Sequence, residues 1–542
     1  MFCRHFLFFV LVLSFFSGFA QTTIARPKLV VGVVVDQMRW DFLYRYYDRY
    51  AENGGFKRLL NQGFSCENTL IPYAPTVTGP GHASIYTGSV PAINGITGNL
   101  WWDNQANKSV YCTEDTTVKT VSGAVSTAGL QSPRNLLVTT IADELRLATN
   151  FRSKVIGIAI KDRGGILTTG HSANAAYWYD PKIGEWITST YYVNELPAWV
   201  KNLNAKKLVD KYYQQGWNTL YPIATYSQST TDEKVYEAKP LGKGFPYDLK
   251  QFAGKNYGII SATPYGNSFT IDMAKEAMSA EGLGTDVHTD LLAISFSSPD
   301  YIGHSFGPNS IEQEDDFLRL DKELGEFLDF LDMKIGKGQY LFFLSADHGV
   351  AHVPQFLAEN KIPAGKVNLS ALEETMNTQL KQGFGADNLI VSTYNYQIHL
   401  NHNTINNLKL DEAAIRKWVI NHLSKQPFIS RAFEIDKLSE TTINAKIKSM
   451  LANGYYPKRS GDIQFIFLPQ YMESYGNTGT THGLWNPYDA HIPLLFYGWN
   501  IKKGKTNREI YMTDIAPTLA ALLHIQMPSG SVGKVIEEVL DK

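Results

Sequence analysis

Four apolar runs in this chain end in charged side chains. "VVGVVVD" stops at Asp36, "VIGIAIKDR" at Lys161 and Arg163, "LLAISFSSPD" at Asp300, and "YLFFLSADH" at Asp347 and His348. Carboxylates gathered at one edge would repel and raise each other's pKa, a conflict that a bound cation removes. "DYIGH" sets Asp300 and His304 four apart, so one helical turn or tight loop can aim both at one ion. His482 lies in "GTTHGLWN", among small and polar residues suited to a loop at the same edge. Asp and His donors without thiolate point to zinc or a harder ion, and ordinary affinities favour zinc. His352, four beyond His348, and His82 in "GPGH" compete as ligands. The plainer reading of the Asp347–His348 pair is a turn cap beside a hydrogen-bonded core imidazole.

A hydroxyl nucleophile is also on offer. "PTVTGPG" places Thr76 and Thr78 two apart, and an extended backbone would aim both to one side. Thr76 also suits a turn after Pro75. Lys161 and Arg163, at i and i+2 on a strand end, combine a compact point charge with a planar fork that can grip two anionic oxygens. The alternative is a solvated pair at the sheet edge, balanced by Asp162.

These groups need elements to position them. Consecutive β-branched residues in "PKLVVGVVVDQ" imply a strand buried on both faces, as in a parallel sheet. "SKVIGIAI", "DLLAISF" and "QYLFFLS" read alike. A helix-like stretch spans Trp40 to Leu60. "TTIADELRLATN" offers Thr140 as a cap with Glu144 near the capping-box position, and "IEQEDDFLRLDKELGEFLDFL" is a long amphipathic helix. "HIPLLFYGW" and "TDIAPTLAALL" give a last strand and helix. This alternation predicts an α/β fold with a doubly wound, mostly parallel sheet, whose ligands bind beyond the carboxyl ends of the strands. Two interruptions, at about 168–260 (Tyr/Trp-rich) and about 354–475, read as large insertions into one catalytic domain over 27–542.

At 542 residues the chain is long enough for one large domain with insertions or for two to three smaller ones, and a net charge of −2 gives no electrostatic reason to expect nucleic acid. The N-terminal "MFCRHFLFFVLVLSFFSGFAQTT" has Arg4, an apolar run over 6–16, and Gly18 and Ala20 at signal-peptidase spacing. It reads as a signal peptide, residues 1–20, cut after Ala20, since the run falls short of the roughly 20 residues a membrane span needs. A periplasmic or secreted location follows as the expectation. Cys66 and Cys112 would remain, either paired or as two buried thiols.

Taken together, "VVVDQMRWD", "PYAPTVTGPGHASIYTGSVPAINGITGN", "IKDRGGIL", "SSPDYIGHSFGPNS", "LSADHGVAH" and "TTHGLWNPYDAHIPLLFYG" resemble the alkaline phosphatase superfamily. The likeness is to its secreted bacterial, PafA-type branch, which uses a threonine nucleophile, and it runs from about Pro27 to the C-terminus. The resemblance implies two Zn2+ ions, one on Asp300, His304 and His482, the other on Asp36, Asp347 and His348 with the Thr78 hydroxyl. It selects Thr78 over Thr76, assigns Asn99, Lys161 and Arg163 to the phosphoryl oxygens, and implies hydrolysis of small phosphate monoesters through a phosphothreonine; a broad range is expected because only the phosphoryl group has obvious charged partners. A monomer with no nucleic-acid or membrane partner is the corresponding expectation. A sulfatase would carry a Cys-x-Pro-x-Arg type motif, which the Thr78 region lacks. A phosphodiesterase of the superfamily would share the metal ligands, and a non-catalytic metal- or glycan-binding surface protein is the alternative from another class.

Overall fold

The computed structural model describes residues 24–474 and 476–540. The expected signal peptide lies outside the described residues. A ten-stranded sheet organises the chain, with strands in chain order β1 (Leu29–Val35), β2 (Phe64–Cys66), β3 (Thr120–Val121), β4 (Val155–Ala159), β5 (Ala175–Asp180), β6 (Glu185–Ser189), β7 (Asp290–Phe296), β8 (Tyr340–Ser345), β9 (Leu494–Gly498) and β10 (Gly504–Thr506). Their spatial order is β10-β2-β9-β8-β1-β7-β4-β5-β6-β3. The middle five, β8-β1-β7-β4-β5, run parallel, and antiparallel strands flank them on both sides. Every residue of β1, β7 and β8 is buried. Because successive side chains point to opposite faces, both faces of this core are covered, as the continuous apolar runs require.

Register sets the level of the strand ends. Val35 pairs with Phe296, Val34 with Ser345, and Ser295 with Ala159. Asp36, Lys161, the turn before Asp300, and Asp347 therefore leave the sheet side by side.

Two expectations need correction. Trp40 to Leu60 is not one helix: it divides into Phe42–Arg45, a 3-10 turn Tyr47–Arg49 and a helix Gly55–Gln62. Asp321, from a helix far along the chain, accepts hydrogen bonds from Ala51 N (2.8 Å) and Phe56 N (2.9 Å), and so fills the orphan donors where the helix breaks. The interruption drawn at about 168–260 is not wholly outside the sheet either. Its aromatic strands β5 and β6 extend the main sheet, and Trp178 and Trp186 are buried there. The stretch at 354–475 carries a four-stranded sheet of its own, ordered Ile390–Ser392, Gln397–Leu400, Ile463–Phe467, Ile429–Glu434. Thr140 does cap its helix, but Asp143, one residue before Glu144, completes the capping box. Cys66 and Cys112 are buried free thiols.

Candidate active site

The helices around the strand ends are, in chain order, α1 (Thr78–Thr87), α2 (Ile141–Ala148), which leads into β4, α3 (Asp162–Thr169), which follows β4, α4 (Tyr265–Glu281), which leads into β7, α5 (Ser298–Phe306), which follows β7, and the long α6 (Ile311–Leu331). Asp300 and His304 sit one turn apart on α5, with His304 Nε2 3.2 Å from Asp300 Oδ1. His482 Nε2 lies 3.4 Å from the same oxygen. On the other side, His348 Nε2 is 3.4 Å from both Asp36 Oδ1 and Asp347 Oδ2. Both triads, Asp300–His304–His482 and Asp36–Asp347–His348, bring their ligand atoms within 4.8 Å of one another. The rings of His348 and His482 stack at 3.5 Å between centroids, which places the two sets next to each other.

The donor chemistry fits a cation in each set. Each imidazole turns its Nδ1 to a backbone carbonyl: His304 to Thr480 O (2.8 Å), His482 to Thr76 O (2.9 Å), His348 to Gly349 O (3.0 Å). That fixes the tautomer and leaves Nε2 as a lone-pair donor, the usual outer-sphere arrangement around a metal. Burial holds His348 low, at about 3, and also lowers His482. Asp347 Oδ1 accepts from Gln37 N (3.1 Å) and His348 N (3.0 Å), while its Oδ2 and Asp36 Oδ1 are buried without a hydrogen-bond partner. Burial, with Asp347 close by, raises Asp36 well above the usual carboxylate range. Such a group is costly to leave uncompensated. Glycine is required at Gly81 on α1, where a Cβ would lie 2.5 Å from Asp347 Cβ.

Thr78 opens α1, so its hydroxyl sits at a helix N-terminus, where negative charge is favoured. Its Oγ1 is 3.4 Å from His348 Nε2 and 3.4 Å from Arg163 Nη2. Gly79 N donates to Asn99 Oδ1 (2.7 Å), which holds the Asn99 amide beside Thr78. Arg163 Nη1 donates to Tyr111 OH (3.0 Å), and that phenol donates to Asp162 Oδ1 (2.5 Å). Lys161 Nζ bridges the two sets, 2.6 Å from Asp36 Oδ2 and 2.6 Å from Asp300 Oδ2. Thr76, by contrast, spends its hydroxyl on Leu484 O at 2.7 Å.

The rival histidines fall elsewhere. His352 pairs with Asn309 Oδ1 (2.6 Å) and Arg39 Nη1 (3.2 Å). His82 lies behind Thr78, on Thr78 O (2.9 Å) and Ser295 Oγ (2.8 Å), with Nδ1 3.3 Å from Asp347 Oδ2. Sequence reasoning missed Tyr111 and Gln37; only the position of Gln37 directly after Asp36 could have signalled it. A further cluster, His402, Glu412 and Asp462, is already balanced by Arg416, whose Nη2 is 2.6 Å from Glu412 Oε1 and 2.7 Å from Asp462 Oδ1.

The profile of the Type I phosphodiesterase / nucleotide pyrophosphatase family matches residues 30–489. The chain belongs to this family, within the alkaline phosphatase superfamily. It is 55% identical over 527 residues to alkaline phosphatase PhoV of Synechococcus elongatus, covering 97% of this chain and 94% of PhoV. It is 52% identical to a Myroides odoratus protein named calcium-transporting ATPase (97% of each chain), and 49% identical to alkaline phosphatase PafA of Elizabethkingia meningoseptica (98% of each). The crystal structure of wild-type PafA superposes with a TM-score of 0.94 over 96% of this chain and 100% of that one, at 49% identity. The chain is thus an enzyme of the alkaline phosphatase type. Among the described residues, no helix is long and apolar enough to cross a membrane.

Proposed function

We propose that this enzyme hydrolyses phosphate monoesters through a phosphothreonine at Thr78, with two zinc ions held by the Asp300–His304–His482 and Asp36–Asp347–His348 sets. The observation that carries this reading is the placement of the Thr78 hydroxyl, 3.4 Å from a ligand nitrogen of one set and 3.4 Å from the Arg163 guanidinium. When bound, the ions supply Lewis acidity that lowers the pKa of a neighbouring hydroxyl or water and offsets charge on the departing oxygen.

The residues of the chain do the rest. Thr78 Oγ1 attacks phosphorus, the P–O bond to the alcohol breaks, and the alcohol leaves with a proton. Water then attacks the phosphothreonine, which releases inorganic phosphate and restores the hydroxyl. The N-terminus of α1 favours negative charge at Thr78 in both steps. Arg163, oriented by Tyr111, and the Asn99 amide, oriented by Gly79 N, take the non-bridging oxygens. Lys161 offsets the carboxylates on either side of it and adds positive charge to the same pocket. Since only the phosphoryl group has charged partners, a broad range of alcohols is the corresponding expectation.

The family match favours one second reading, a phosphodiesterase using the same ligands. Steady-state comparison of a monoester, a diester and a sulfate monoester on one zinc-loaded preparation separates them. Monoester turnover well above the other two supports the proposal, and preferred diester turnover refutes it.

A further inference from the structure

Gln37 joins the two ligand sets and does so from a backbone conformation that L side chains rarely adopt. Its φ is +69°, in the left-handed region, and the residue is fully buried. Glycine would take that conformation freely, so a glutamine held there points to work done by its side chain. Its backbone N–H donates to Asp347 Oδ1 at 3.1 Å, and its side-chain Nε2 donates to Asp300 Oδ1 at 2.7 Å. One residue thereby fixes a carboxylate of each set. The amide orientation follows from chemistry: only the NH2 end can face a carboxylate acceptor.

The other end of the amide reveals how it is held. Gln37 Oε1 is buried without a hydrogen-bond partner, and a Cβ built on Gly303 would lie 1.8 Å from it. Gly303 is on α5, three residues after Asp300 and one before His304. Any side chain there would push the Gln37 amide away from Asp300. Asp300 Oδ1 is also the oxygen that His304 Nε2 and His482 Nε2 approach, at 3.2 and 3.4 Å.

We propose that Gln37 is the positioning residue of the Asp300–His304–His482 set, seated by Gly303, and that it aims the Asp300 carboxylate for the ion bound there. This rests on the two-ion reading above. Outer-sphere partners of this type are worth about 10–100-fold in metal affinity.

Two variants test it without a common defect. Gln37→Gly removes the amide and relaxes the left-handed backbone, and Gly303→Ala leaves Gln37 in the chain while improving local helix propensity. Neither replaces a ligand. Each protein is equilibrated against graded chelator, and its zinc content is read by elemental analysis beside the melting temperature of the zinc-free form. Both variants should lose one of two ions at about 10–100-fold higher free zinc than wild type, retain the other normally, and still melt in one cooperative transition when zinc-free. Saturating zinc should restore most of kcat. If both variants keep both ions with wild-type affinity, or stay slow with two ions bound, Gln37 does not position this set. A wild-type protein that never carries two ions would instead overturn the two-ion reading itself.

Discussion

Replacing Arg163 should change substrate preference as well as rate. Nη1 is committed to Tyr111, Nη2 lies 3.4 Å from Thr78 Oγ1, and the buried Nε has no partner. Two donor positions therefore remain for phosphoryl oxygens close to the nucleophile. Charge-assisted hydrogen bonds contribute ~1.5–3 kcal/mol each. Losing two in the transition state predicts a fall of ~10²–10⁴ in kcat/KM for an aryl monoester in Arg163→Ala, at ~1.36 kcal/mol per tenfold. A diester has one of those oxygens esterified, so it should lose only ~10–10². The assay is kcat/KM for an aryl phosphate and its methyl ester, in wild type and variant. Equal losses on both substrates would instead mean that Arg163 supports the fold and does not grip the phosphoryl oxygens. Lys161→Ala is the contrasting case. It strips the ammonium from Asp36 and Asp300 together, so both substrates should suffer alike.

Other outcomes follow from the same geometry. Chelation should abolish hydrolysis and added zinc should restore it, as read by activity and elemental analysis; full activity in metal-free protein would contradict the metal reading. Thr78→Ala should lose nearly all turnover and Thr78→Ser keep a substantial part, whereas Thr76→Ala should keep turnover and lose about 1 kcal/mol of stability with its bond to Leu484 O. Glu312 on α6 is fully buried and accepts a 2.5 Å hydrogen bond from Tyr247 OH, and burial pushes it up to about 7. Because the folded state binds its proton more tightly than the unfolded chain, stability is highest below the unfolded carboxylate range and is lost as pH rises to about 7. Relative to wild type, Glu312→Gln should gain about 3 kcal/mol between pH 4.5 and pH 8 in chelated protein. An equal pH slope in both melting curves would show that Glu312 does not titrate this way.

Five of the six proposed metal-ligating residues were legible in the sequence because each follows an apolar strand or lies four residues from another, whereas His482 was marked only by its small and polar neighbours. Asp36, Asp300, Asp347 and His348 announce themselves as charges at buried strand ends, and the parallel register brings them together. What could not be read depended on contacts distant in the chain. Asp321 breaks the Trp40–Leu60 stretch from about 265 residues away. Strands β5 and β6 looked like part of an insertion because Trp and Tyr replace the β-branched pattern of the other core strands. Tyr111 and Gln37 act through the side chains they orient, and no spacing encodes that. Thr76 and Thr78 were equivalent by alternation alone. The structure separates them: one hydroxyl is bonded to a carbonyl and the other faces His348 and Arg163.

The most direct test of the covalent mechanism is acid quenching of zinc-loaded enzyme during turnover of a phosphate-labelled monoester, followed by peptide mapping. A single labelled phosphothreonine is expected at Thr78, absent from Thr78→Ala and from chelated protein. Label at Thr76, or no labelled residue under conditions where hydrolysis of the phosphoenzyme is rate-limiting, would contradict it.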